Sequence, residues 1–190
     1  NLPFAMAMAR QINWPSTLEE LGFPEQWDPE RLKAIMHGRM NRKEKVYTGA
    51  YMLTGTLGGT KVEQTIDKIL TPLYNNPPKL YKDSLEHSWE QYLPYAGFSG
   101  FMAYEVVTDL RHTKYLKNAL DVTTWANAGP GAVRGLNRIH GRDIKNSLSK
   151  KVSCREMYDL LMISDRHIEI HVPVLEMRDI EHCLCEFDKY

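Results

Sequence analysis

Two glycine-bearing turns, each leading into an amphipathic run, carry the most suggestive chemistry in this 190-residue chain. In "YAGFSGFMA" (residues 95–103), Gly97, Ser99 and Gly100 precede Phe101, Met102, Ala103, Val106, Val107 and Leu110, apolar positions that fit a helix. In the second, Ala128 to Gly131, with Gly129 and Gly131, precedes "AVRGLNRI". A turn of small residues at a helix N-terminus presents bare amide donors and partial positive charge, and glycine lets a phosphate come close to the main chain. The pattern points to an anion, a nucleic-acid phosphate above all, with Arg134, Arg138 and Arg142 adding charged contacts. A tight connection between helices is the plainer reading of the same glycines.

The first turn resembles the hairpin and second-helix start of the helix-hairpin-helix DNA glycosylases, whose pattern is Leu-Pro-Gly-Val-Gly-x-x-Thr-Ala. Tyr95, Ala96, Gly97, Phe98 and Ser99 fall on its first five positions and Ala103 on its last. In that superfamily an aspartate follows at the start of the next helix, and Asp121, 26 residues past Tyr95, opens "DVTTW" after a polar loop. More narrowly, "GFSGFMAYEVVTDLRH", "AGPGAVRGLNRI", "ARQINWPSTLEELG", "YTGAYML" and "CEFDKY" are similar to the helical domain of phage 5-hydroxymethyluracil DNA kinases. That domain recurs in alpha-glutamyl/putrescinyl thymine pyrophosphorylases and is similar to an antiphage glycosylase acting on glucosylated hydroxymethylcytosine.

The resemblance implies an all-α, helix-hairpin-helix glycosylase-like fold acting on double-stranded DNA that contains modified pyrimidines, with a fused or associated kinase domain as a further partner. The leading expectation is a monofunctional glycosylase that flips out a 5-substituted pyrimidine, with Asp121 stabilising the cationic sugar or activating water. The alternatives are a transferase displacing pyrophosphate with an amine, and a non-catalytic DNA-binding module of a kinase. Arg10 and Asn13 enter as base-pocket residues through the resemblance. Tyr47, Tyr51 and Tyr104 fit either a pocket wall or the core. Asp121 alone also reads as a cap for "VTTWANA", and Asp109 is a reserve carboxylate, paired with Arg111 or another arginine. Phe101 stands where strand-cleaving members carry a lysine, so no lyase step is expected. Ser99 replaces the hairpin's second glycine, and the iron-sulfur cysteine spacing is absent.

The elements that would hold these residues are helices. "STLEELG" offers Ser16 and Thr17 as caps, "DPERLKAIM" has Asp28 before Pro29, and Thr60 with Glu63 forms a capping box. Val62, Ile66, Ile69, Leu70 and Leu73 then share one helical face, and Ser153 with Glu156 repeats the box. Only "HIEIHVPV" alternates like a strand, an edge at most because of Pro173. The same alternation argues against a metal pair at His167 and His171.

Composition sets the remaining bounds. With 43% apolar residues the length suits one helical domain spanning 1–190. The chain opens without methionine, as an excised domain would. The 24 basic residues balance 24 acidic ones, so DNA contact would be confined to one face and salt-sensitive. Three cysteines form neither a disulfide framework nor a zinc spacing, so no metal and no cofactor is expected. The compartment is expected to be reducing: the cytoplasm, the host cytoplasm for a viral protein, or the nucleus for a eukaryotic one. No apolar run reaches the roughly 18 residues a membrane span needs.

Overall fold

In the computed structural model, which describes residues 1–49, 57–164, 166–169 and 171–190, the chain is helical, with no strand among the described residues. It packs as two compact units: Asn1–Leu80 with Glu90–Leu110, and Tyr81–Trp89 with Arg111–Tyr190. Helix α6 (Leu85–Tyr92) begins in the second unit and ends in the first.

The first unit holds α1 (Leu2–Ile12), α2 (Pro15–Leu21), α3 (Pro29–Asn41), α4 (Lys61–Glu63), α5 (Thr71–Asn75) and α7 (Gly100–Leu110). Met102, Ala103, Tyr104, Val106, Val107 and Leu110 are all buried, so α7 is apolar nearly all round and forms the unit's centre, with α1 packed against it. The face predicted from Val62 to Leu73 is buried throughout. It is wound unexpectedly: between α4 and α5 the segment Gln64–Leu70 is π-helical. Pro72 lacks an amide hydrogen and its ring crowds the carbonyl four residues back, which favours a wider preceding turn. Thr71 helps satisfy that turn, its hydroxyl donating to the Ile66 carbonyl at 2.8 Å and accepting from the Trp27 indole at 2.9 Å.

The second unit is built on α8 (Pro130–Ile139), α9 (Lys150–Ser164) and α10 (Met177–Phe187). Helices α8 and α10 approach closely because Gly131 and Gly135 face α10. A Cβ on Gly131 would lie 2.6 Å from the Cys185 Sγ, and one on Gly135 only 2.5 Å from the Leu184 carbonyl oxygen. Arg142 grips Glu156 with two hydrogen bonds of 2.7 and 2.6 Å, fastening the segment after α8 to α9.

Most caps follow the sequence. Asp28 accepts from the Arg31 amide at 3.0 Å, and the Thr60–Glu63 box closes in both directions. Two starts differ. Helix α2 begins at Pro15 with Trp14 as its N-cap, since proline suits the first helical position, so Ser16 and Thr17 lie inside the helix. Helix α9 begins one turn before the expected Ser153, because the Ser149 hydroxyl accepts from the Val152 amide at 3.3 Å. Ser153 is buried inside the helix, its hydroxyl donating back to the Ser149 carbonyl at 3.2 Å. The described part of "HIEIHVPV" forms turns, with the His167 amide bonded to the Ser164 carbonyl and the Val172 amide to the Glu169 carbonyl, instead of a strand.

Gly135→Ala is expected to lower stability by about 1–3 kcal/mol, since the obstructing atom is main chain and α10 must shift; thermal unfolding by circular dichroism measures it. The Arg142 guanidinium, outweighing the effect of burial, holds the Glu156 carboxyl below its ordinary value of 4.5. A depressed folded-state value means that this stabilisation is complete above the ordinary value and is lost as pH falls through the lower folded one. Glu156→Gln should therefore flatten the fall in melting temperature on acidification below about pH 4.5.

Candidate functional site

The turn at residues 93–99 is shaped by packing. Gly97 has φ +77°, and a Cβ there would meet the Ile69 Cδ1 at 2.6 Å, so the close approach that excludes a side chain is to the π-helical segment of the same unit. The Gln11 side-chain amide donates to the Gly97 carbonyl at 2.9 Å, and buried Phe98 lies 5.5 Å from the Tyr92 ring. Ser99 directly precedes α7 and its carbonyl accepts the Ala103 amide at 2.9 Å. It is not among the left-handed residues, so its replacement of glycine carries no strain. Gly100 opens α7.

The other residues expected in this unit have structural partners. Arg10 pairs with Asp109 at 2.6 and 2.7 Å and with Glu105 at 2.6 Å, so the arginine that meets Asp109 is Arg10 instead of Arg111. Asn13 ends α1 in the left-handed conformation, φ 46°. Tyr104 is 1% exposed and sits in the core. The Tyr47 hydroxyl donates to the Thr65 hydroxyl at 3.0 Å, and burial raises its pKa to about 12. Tyr51 lies outside the described residues.

In the second unit the expected grips are also engaged. The turn from Ala128 to Gly131 opens a helix as expected, with Gly129 as the N-cap of α8, but the Gly129 amide donates to Glu181 at 3.0 Å, a carboxylate buried on α10. Arg134 and Arg138 both reach Asp188, at 2.6 and 3.3 Å, from α8. His167 and His171 are exposed and stand on turns, and no cluster of metal-ligating side chains occurs among the described residues.

Asp121 does cap a helix, though not its own segment. Its carboxylate accepts from the Ser84 hydroxyl at 2.8 Å, the Leu85 amide at 2.8 Å and the Glu86 amide at 3.0 Å. These are first-turn donors of α6, where a negative charge is stabilised by the helix dipole. The Leu120 amide reinforces the junction by donating to the Asp83 carbonyl at 2.8 Å.

Asp121 also borders a cleft of about 550 Å³ that sequence reasoning missed. Trp89 and Trp125, with ring centres 5.7 Å apart and planes at 54°, form its aromatic part. Lys150, Lys151 and Arg155 of α9 contribute cations, and the Lys150 ammonium lies 4.2 Å from the Trp89 ring centre. The available signal was the tryptophan in "DVTTW" and the basic spacing in "KKVSCREMY".

The family described as the helical domain of 5-hmdU DNA kinase matches residues 1–190. The chain belongs to that family. A 5-hmdU DNA kinase from Bacillus phage SP10 is 29% identical to this helical domain over 151 residues, the match covering 66% of this chain and 23% of the phage protein. The domain thus spans under a quarter of that relative's length. No solved structure matches it. No helix among the described residues is long and apolar enough to cross a membrane.

Asp121→Ala should strip the start of α6 of its acceptor and lower stability by about 2 kcal/mol, with Asp121→Asn recovering part of the loss through its remaining oxygen. Urea unfolding midpoints of the two variants and wild type read this ordering.

Proposed function

We propose that this helical domain is a DNA-recognition module, holding DNA with 5-hydroxymethyl-type pyrimidines for a kinase activity carried elsewhere in a longer protein. Membership of the family described as the helical domain of 5-hmdU DNA kinase supports that substrate class. The observation that carries the non-catalytic reading is the condition of Asp121: its two oxygens serve a hydroxyl and two main-chain amides of α6. A carboxylate so engaged would leave helix donors unsatisfied if it turned toward a sugar. Of the cations expected to meet a leaving pyrophosphate in the transferase alternative, Arg134 and Arg138 are held by Asp188, and Arg142 by Glu156.

Duplex DNA containing 5-hydroxymethyluracil, incubated with this chain, should be retained in a salt-dependent manner, with every base intact by mass spectrometry. Free base released by wild type but not by Asp121→Asn would install the glycosylase reading instead. An amine-substituted nucleoside formed from pyrophosphorylated DNA would install the transferase. Absence of any DNA retention would remove the recognition reading.

A further inference from the structure

We propose that the cleft beside Asp121 holds one unstacked nucleotide of a DNA strand, its base against Trp125 and its phosphates on the cations of α9; this rests on the DNA-recognition reading above. The volume, about 550 Å³, is on the scale of a single small ligand and far below that of a double helix. Trp89 is buried and Trp125 half-buried, so the inner ring supports the outer one from within the unit while the outer retains accessible surface. A supported, partly exposed indole is the kind of surface on which a base stacks without regard to sequence.

The charge arrangement selects the rest of the ligand. Lys150, Lys151 and Arg155 fall in the first two turns of α9, whose first turn has no acidic residue. Cations at that end oppose the helix dipole. Lys151 and Arg155 are exposed and four positions apart, hence on the same helical face. Among the described residues Arg155 meets a solvent-exposed partner in Asp159, 3.0 Å away, and the Tyr158 ring at 5.9 Å; a phosphate can displace the exposed ion pair cheaply. The lining carboxylates are Glu86 and Asp121, and both oxygens of Asp121 are already engaged by donors at the start of α6. An aromatic face next to cations matches a base joined to its phosphate, and neither a neutral apolar ligand nor a cation satisfies both halves.

The test titrates the chain with a single-stranded oligodeoxynucleotide containing 5-hydroxymethyluracil, following tryptophan emission and fluorescence anisotropy of a labelled strand. Wild type should bind with quenched emission. Trp125→Ala should weaken binding about tenfold or more, and Trp125→Phe should keep most of the affinity while losing most of the quenching. Lys151→Glu, a surface change that leaves folding intact, should weaken binding and reduce its salt dependence. Lys68→Ala, on the exposed side of the first unit, should change nothing. If wild type binds and neither Trp125→Ala nor Lys151→Glu alters the affinity or salt dependence, the cleft assignment falls while DNA recognition stands. If wild type binds neither single-stranded nor duplex DNA, both fall.

Discussion

The second unit depends on one short segment, Leu120–Trp125, whose polar groups are shared among three helices. Asp121 and the Leu120 amide hold the start of α6, the Val122 carbonyl accepts the first amide of α10 at 2.9 Å, and the Thr124 carbonyl receives the Cys154 thiol of α9 at 3.2 Å. Trp125 then rests against Trp89. Residues 81–89 lie far from the rest of this unit in sequence, and these bonds incorporate them. The cleft is a consequence of that arrangement: its aromatic part comes from α6 and the segment, and its cations from α9.

The glycines show how one residue type answers two physical demands. A missing Cβ can admit a phosphate, or it can admit another part of the protein. At Gly97, Gly131 and Gly135 the visitors are Ile69, Cys185 and Leu184. At Gly129 an anion is indeed bound, but it is the chain's own Glu181. The helix N-terminus attracts negative charge as expected, and the sequence contains no local clue that a carboxylate 52 positions away supplies it.

Local chemistry was therefore legible and long-range chemistry was not. The caps at Asp28 and Thr60, the buried face from Val62 to Leu73, and the small-residue starts of α7 and α8 depend on neighbours within a few positions, and each was readable from them. The π-helical turns before Pro72 required weighing a proline against a strong apolar pattern, and the pattern concealed its effect. The partners of Arg10, Arg134, Arg138 and Asp121 lie 99, 54, 50 and 35 to 37 positions away, so charge alone could mark these residues without assigning them. The indole of "DVTTW" and the lysines of "KKVSCREMY" meet only in three dimensions, so neither stretch marks the cleft locally.

The interleaving of the two units bears on how the molecule is made. A nascent chain that has emerged as far as Leu80 has most of the first unit but not α7, its central helix, which arrives only with residues 100–110. Residues 81–89 emerge before that helix, yet their own partners follow it. Domains tend to fold as units during synthesis; here the chain of the earlier-starting unit is interrupted in sequence by a segment that belongs to the later one. Neither unit is a continuous stretch of message, so they cannot be exchanged singly between genes by a simple splice. Recombination would have to carry residues 1–110 to transmit the first unit intact, or residues 81–190 to transmit the second, each taking part of the other with it.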